Sequence, residues 1–158
     1  MADGARVSMG RQALVAVGLA VLLLAGCEIG DEGGGEKERF AQQADAICLR
    51  YAQRIGGIPR PQTFLRDFAV YMRRAVPLAR QQNRELRALT PPDGSEEDYG
   101  SMLDLLDQQL EFAELAGEEA YAGREARAQA ALQQSLAPAN EAARIAQRLG
   151  FTTCARPT

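Results

Sequence analysis

Apolar residues recur at intervals of three and four along the chain from residue 39 onward, and no segment there alternates apolar and polar residues. This spacing is typical of amphipathic helices rather than strands. Four segments show it, and they begin near Phe40, after Thr63, at Ser95 and near Glu125. The second segment carries an unbroken stripe: Leu65, Phe68, Met72, Ala75, Ala79, Gln82, Leu86 and Leu89. The pattern therefore predicts four helices.

Glycine and proline mark the ends of these helices. Glycines follow the first, third and fourth segments, and a proline pair follows the second: Gly56, Gly123, Gly150 and Pro91-Pro92. Ser95 and Asp98 have the spacing of a capping box at the start of the third helix. Four amphipathic helices with short connections predict an all-α fold, an antiparallel up-down-up-down four-helix bundle over residues 39–158. The alternative is a three-helix domain with a broken second element.

Two prolines fall near the middle of predicted helices. Pro77 lies in the second helix and Pro138 in the fourth, and each removes one backbone hydrogen-bond donor. The polar residues Gln82, Gln109 and Ser135 lie near the same level. One hypothesis is a mid-bundle pocket for a small ligand. The other is that the prolines are tolerated kinks, or that each begins a new helix as a first-turn proline.

Charge is divided between the second and third helices. Residues 60–89 carry seven arginines and two acids, whereas residues 93–119 carry ten acids and no base. A row of interhelical ion pairs, which would favour antiparallel pairing of these helices, is the expected result. The expected partners are Arg73, Arg80 and Arg84 on one helix and Asp104, Asp107, Glu111 and Glu114 on the other. The alternative is a calcium or other cation site on the acidic third helix.

The first 27 residues have the parts of an export signal. Residues 1–11 have a net positive charge, residues 13–24 are apolar, and Leu24-Ala25-Gly26-Cys27 follows. This tetrapeptide resembles the lipobox of bacterial lipoproteins. The resemblance implies that residues 1–26 are removed and that Cys27 is acylated with diacylglycerol and palmitate-type chains. The alternatives are a plain cleaved signal, an uncleaved anchor, or a buried helix with a chance cysteine.

Residues 27–38 are expected to be the acylated cysteine and a glycine-rich, acidic, flexible tether. The expected location is the cell membrane or the outer membrane, lipid-anchored and facing the extracytoplasmic side. Glu28 follows the cysteine, at the position where an aspartate would favour retention in the inner membrane.

Cysteine parity predicts one disulfide. With Cys27 acylated, Cys48 and Cys154 remain, and both lie at the same end of the predicted bundle. A bridge would fold the tail back along helix one, with Phe151 covering the bundle end near Phe40. A redox or metal pair is the rival hypothesis, but it lacks a Cys-x-x-Cys motif and a histidine.

The absence of histidine narrows the function classes. No Ser-His-Asp or Cys-His catalysis, His-ligated zinc or di-iron Glu-x-x-His site is possible without it. We expect no catalytic residue, no metal ligand and no cofactor, and a net charge of −3 argues against a nucleic-acid partner.

The predicted function is therefore a membrane-anchored helical binding or interaction domain, with the membrane and an unidentified envelope protein as partners. A small-ligand or cation carrier is the alternative, and an enzyme using carboxylates alone is the third hypothesis. The turn at 86–92 and the tail at 149–154 loosely resemble uncharacterised helical lipoproteins of GC-rich bacteria, a resemblance that implies no activity.

Overall fold

The computed structural model describes residues 32–156, and these form an all-α four-helix bundle. The helices are α1 (Glu32–Gly56), α2 (Arg66–Arg87), α3 (Glu96–Tyr121) and α4 (Glu125–Arg148). Consecutive helices pack against each other, and the short tail after α4 returns to α1. The predicted fold class is confirmed. No helix in the described part of the chain is long and apolar enough to cross a membrane.

Helix α1 begins at Glu32, so it overlaps the predicted tether over residues 32–38. Residues 34–39 are all exposed, and the extension is therefore stabilised by local bonds rather than by the core. Arg39 Nε, for example, donates a hydrogen bond to the carbonyl of Gly35 at 3.1 Å. Adding residues to an existing helix needs no new nucleus, and this explains how a glycine-rich acidic segment becomes helical. Cys27 and the predicted signal peptide lie outside the described residues.

The buried side chains form two clusters at opposite ends of the bundle. The aromatic cluster comprises Phe40, Ala41, Ala44, Ile47, Cys48, Tyr51, Leu86, Tyr99, Met102, Leu103, Ala142, Ile145, Ala146, Phe151 and Ala155. The alanine cluster comprises Phe68, Ala69, Ala116, Ala120, Ala128 and Ala131. Within the described residues, α1 contributes only to the aromatic cluster. Phe64 and Leu65, from the α1–α2 connection, cover the alanine cluster instead.

Glycine ends the third and fourth helices as predicted. Gly123 and Gly150 have φ angles of +73° and +81°, values that favour glycine because it has no Cβ. Beyond Gly150, the Phe151 N–H donates to the Ala146 carbonyl at 2.9 Å, which turns the chain back toward α1.

The predicted capping box at the start of α3 is wrong. Ser95 is the N-cap residue, but its side chain makes no capping hydrogen bond. The carboxylate of Asp98 does not reach back to Ser95, because it accepts a hydrogen bond from Arg148 at the end of α4 (3.0 Å). Aspartate is also one methylene shorter than the glutamate that usually completes this motif. Asp98 therefore joins α3 to α4 instead of capping its own helix.

Both mid-helix prolines lie within continuous helices, so the hypothesis that each begins a new helix is wrong. Pro138 is buried between the helices, whereas Pro77 is on the outer face of α2. Because proline has no N–H, Pro77 cannot donate to the carbonyl of Arg73 one turn earlier.

Candidate functional site

The predicted disulfide between Cys48 and Cys154 is present, with the two Cα atoms 5.3 Å apart. Cys48 is buried on α1, and the bridge holds the tail along that helix. Phe151 is also where the sequence predicts it, with its ring centroid 5.5 Å from that of Phe40. The bridge pairs two of the three cysteines in the sequence, and the third, Cys27, lies outside the described residues.

A carboxylate that the sequence did not single out reinforces this bridge. Asp45 accepts hydrogen bonds from the N–H groups of Thr152 (2.8 Å), Thr153 (2.8 Å) and Cys154 (3.0 Å). It also accepts one from the Thr152 hydroxyl at 2.6 Å. Burial alone would raise the pKa of Asp45, but these hydrogen bonds outweigh it and lower the pKa below its usual range. The sequence offered one signal for this contact. Because the chain turns after Gly150, the N–H groups that follow have no helix carbonyl to bond and need another acceptor.

The predicted ion pairs between α2 and α3 are present in part. Arg80 pairs with Glu114, and Arg87 pairs with both Asp104 (2.8 Å) and Asp107 (2.7 Å).

Two of the three arginines expected to form this row have no carboxylate partner. Among residues 32–156, none lies within ion-pair distance of Arg73 or Arg84. Arg73 instead lies over the ring of Tyr121, with its guanidinium carbon 4.9 Å from the centroid. This is a cation–π contact at the surface.

A groove of about 570 Å³ lies between α2 and α3 on the outer surface of the bundle. We call it the α2–α3 groove, and it is lined by Met72, Arg73, Val76, Pro77, Arg80, Arg84, Glu114, Gly117, Glu118 and Tyr121. Gly117 lies at a close approach of the two helices, since a Cβ there would be 2.8 Å from the Cβ of Met72. The groove thus combines an apolar floor with charged edges.

The groove is not the predicted mid-bundle pocket. Of the residues placed at that level by the sequence, only Pro77 lines it. The Gln82 amide points inward, 3.5 Å from the Cys48 sulfur, and the Ser135 hydroxyl donates to the Leu132 carbonyl at 2.7 Å. Both side chains therefore make contacts within the bundle and do not line the groove.

The carboxylates with shifted pKa values all accept hydrogen bonds from other groups of the protein. The Thr63 N–H lowers the pKa of Asp67, and the Tyr51 hydroxyl lowers that of Glu85. Arg124 likewise lowers the pKa of Glu119. They therefore remain ionised acceptors, the opposite of what a general acid at neutral pH requires. Within residues 32–156, no three acidic or cysteine side chains are grouped closely enough to hold a metal ion.

The sites predicted from the sequence thus have different outcomes. The disulfide pair is brought together, whereas the lipidation site Cys27 lies outside the described residues.

No protein family matches this chain, nor does any curated protein or any solved structure. A functional conclusion must therefore come from the chain's own residues and from the groove they form.

Proposed function

We propose that this protein is a membrane-anchored extracytoplasmic lipoprotein whose helical domain binds a ligand or partner and performs no catalysis. Cysteine pairing carries the proposal. The bridge between Cys48 and Cys154 leaves no second cysteine in the chain to pair with Cys27, and Cys27 directly follows Leu24-Ala25-Gly26 and an apolar run. Disulfides persist mainly in oxidising compartments outside the cytoplasm, so the bridge and the export signal support the same location.

The acylated cysteine would hold the domain close to the bilayer. Each buried CH₂ of an acyl chain contributes about 0.8 kcal/mol, and stable anchoring needs at least two chains, as a diacylglyceryl cysteine provides. Only residues 28–31 separate Cys27 from α1, a distance of at most about 18 Å at full extension. The part of α1 before Phe40 adds about 12 Å of helix before the core begins, and its residues 34–39 are exposed.

The α2–α3 groove supports the binding part of the proposal. Its volume of about 570 Å³ lies within the range of roughly 300–1,000 Å³ common for small-molecule sites. A small-ligand carrier is therefore the second candidate function, favoured by this groove. The cation version of that candidate gains no such support, because within residues 32–156 no three acidic side chains are grouped closely enough to hold a cation and several acids of α3 pair with arginines.

Processing at Cys27 tests the anchor. Mass spectrometry of membrane-extracted protein should show a lipid-modified peptide that begins at Cys27, and Cys27→Ala should leave an unprocessed precursor. The matched control is Cys48→Ala, which should lose the disulfide and keep both the processing and the membrane attachment. Normal cleavage of the Cys27→Ala protein would overturn the lipoprotein proposal.

A further inference from the structure

We infer that the α2–α3 groove binds an amphipathic anion, a molecule in which one oxyanionic head group is joined to an apolar body. The inference rests on the proposed binding function and is independent of the lipid anchor. It follows from the apolar floor of the groove, from the charge along its edges and from its length.

The floor of the groove is apolar and open. Met72 and Val76 contribute side chains from α2, and Gly117 faces them from α3. Since Gly117 has no side chain, α3 approaches Met72 without filling the space above the contact. Tyr121 borders one end and is 72% exposed, with Arg73 over its ring, so this end combines an aromatic side chain with a cation. Such a floor favours the burial of a hydrocarbon or aromatic body.

The edges of the groove carry more positive than negative charge. Three arginines line it, Arg73, Arg80 and Arg84, against two glutamates, Glu114 and Glu118. Arg80 already neutralises Glu114, whereas Arg84 has no carboxylate within ion-pair distance in the described part of the chain. An arginine fork matches carboxylate and phosphate oxygens in two parallel hydrogen bonds. Arg84, with Arg80 beside it, is therefore the expected contact for the head group.

The two acids of α2 do not offset this charge. The carboxylate of Asp67 accepts hydrogen bonds from the backbone N–H groups of Gln62 and Thr63 at the start of the helix. Glu85 is paired with Arg50 of α1 and accepts the Tyr51 hydroxyl. Both acids therefore face away from the groove and serve local contacts.

The spacing along α2 sets the length of the ligand. Arg73 and Arg84 are eleven residues apart, which corresponds to about 16 Å of helix. A ten-carbon chain with its head group at Arg84 would extend over the floor toward Tyr121. Decanoate and decyl phosphate are therefore suitable probes, since they share the chain and differ in the head group.

The experiment uses residues 28–158, which lack the predicted signal peptide and Cys27, made in an oxidising compartment. This chain carries the disulfide and every core residue of both clusters, so it contains the whole described bundle. Calorimetric titration below the micellar concentration gives Kd, and amide chemical shifts map the site. We expect decanoate, decyl phosphate or both to bind and to shift amides of α2 and α3 around Met72 and Gly117. The preferred head group distinguishes a fatty-acid source from a phosphate-bearing one.

Matched charge variants test the role of the arginines. Arg84→Glu should weaken binding by about tenfold or more. The control is Arg74→Glu, an exposed arginine of the same helix that does not line this groove, and it should leave Kd unchanged. Glu118→Gln removes a negative charge from the edge and should tighten binding by about twofold to threefold. Glu111→Gln, an exposed acid of α3 outside the groove, is its control.

Four results would overturn the inference. The first is an absence of binding by both anions at millimolar concentration, and the second is an increase in Kd for Arg74→Glu as large as that for Arg84→Glu. The third is tighter binding of decyltrimethylammonium than of decanoate. The fourth is binding of inorganic phosphate as tight as that of decyl phosphate. None of these depends on Cys27 processing, so failure of the anchor and failure of the ligand site are distinguishable.

Discussion

The cores at the two ends of the bundle contain different kinds of side chain. At one end, the rings of Phe40 and Tyr99 meet edge to face with centroids 4.9 Å apart, and Phe151 from the tail packs beside them. At the other end, the core is mostly alanine, with Ala116 and Ala128 fully buried. Four helices and the tail enclose the aromatic cluster, whereas α1 does not reach the alanine cluster. Large rings fill a wide space at one end, and small residues let helices approach closely at the other.

The two ends of the bundle differ in how much their side chains stabilise the fold and in how open their surface is. Complete burial of a phenylalanine or leucine side chain contributes about 1.5–3 kcal/mol, and burial of an alanine methyl contributes less. The disulfide and the Asp45 hydrogen bonds also lie at the aromatic end. The α2–α3 groove is lined by Met72, which packs against the alanine cluster, and by Gly117 opposite it. The comparison indicates that the aromatic end contains most of the contacts that stabilise the fold, whereas an open groove begins near the alanine end.

Removal of the disulfide should give the largest loss of stability. The bridge joins residues separated by 106 positions, and for a loop of about 100 residues the chain-entropy model gives up to about 4.7 kcal/mol at 25 °C. Reduction should therefore lower Tm markedly, and amide exchange should accelerate first in α1 and the tail. The double variant Cys48→Ala/Cys154→Ala is the control, because its Tm should not respond to reductant. Equal acceleration at both ends would contradict the comparison.

Loss of the Asp45 carboxylate should have the next largest effect. Asp45→Ala leaves three backbone N–H groups and one hydroxyl without their acceptor, and we expect a loss of about 2 kcal/mol in denaturant unfolding. Asp104→Ala is the matched control. Asp104 is exposed and Arg87 keeps its second partner, Asp107, so the change should stay within about 0.5 kcal/mol.

The Asp45 contribution should also depend on pH. Because the folded-state pKa is lowered from 3.8, the contribution is fully present above that value and is lost as pH falls through the lower folded-state pKa. The stability difference between the wild-type protein and Asp45→Ala should therefore be constant near neutral pH and shrink in strong acid. A difference that grows below pH 3.8 would show that the carboxylate stabilises the tail in its protonated form.

Most of the fold was predictable because local rules dictate it. The 3/4 spacing of apolar residues predicted all four helices, and Gly123 and Gly150 ended two of them as expected. Cysteine parity predicted the pairing of Cys48 with Cys154. The early start of α1 was missed because exposed helical turns leave no apolar stripe to detect.

The groove and the Asp45 contacts were not predictable, for a different physical reason. Asp45 meets partners more than 100 residues away, and its position on α1 differs in no local way from that of an ordinary exposed acid. The groove depends on the approach of Met72 to Gly117, which only the packed helices determine. In the sequence, Gly117 and Gly100 are both isolated glycines inside the same helical pattern, and nothing local distinguishes the one at a close helix contact from the one beside open space.

A pair of glycine substitutions on α3 tests the close approach at the groove. Gly117→Ala places a Cβ 2.8 Å from the Cβ of Met72, so α2 and α3 must move apart. Overpacking of this kind costs about 1–3 kcal/mol, partly offset by the better helix propensity of alanine, and we expect a net loss of about 1 kcal/mol or slightly more. Gly100→Ala meets no atom within 4 Å and should stabilise the protein by up to about 1 kcal/mol. Equal effects in thermal unfolding would show that the helices do not touch at Gly117.

The smallest effect should come from a single hydroxyl in the aromatic cluster. Tyr99 donates a hydrogen bond to the Leu86 carbonyl at 2.6 Å, and Tyr99→Phe removes the bond while keeping the ring. The Leu86 carbonyl still accepts the Leu89 N–H, so it is not left unpaired and the cost should be about 1 kcal/mol or less. Burial raises the pKa of Tyr99 to about 12 from 10.0, so its neutral form contributes stability below pH 10 that is lost as pH rises toward 12. In urea unfolding, the free energy of unfolding should therefore fall more for the wild-type protein than for Tyr99→Phe between pH 9 and pH 11. Equal losses for the two proteins would mean that the phenol is in contact with water.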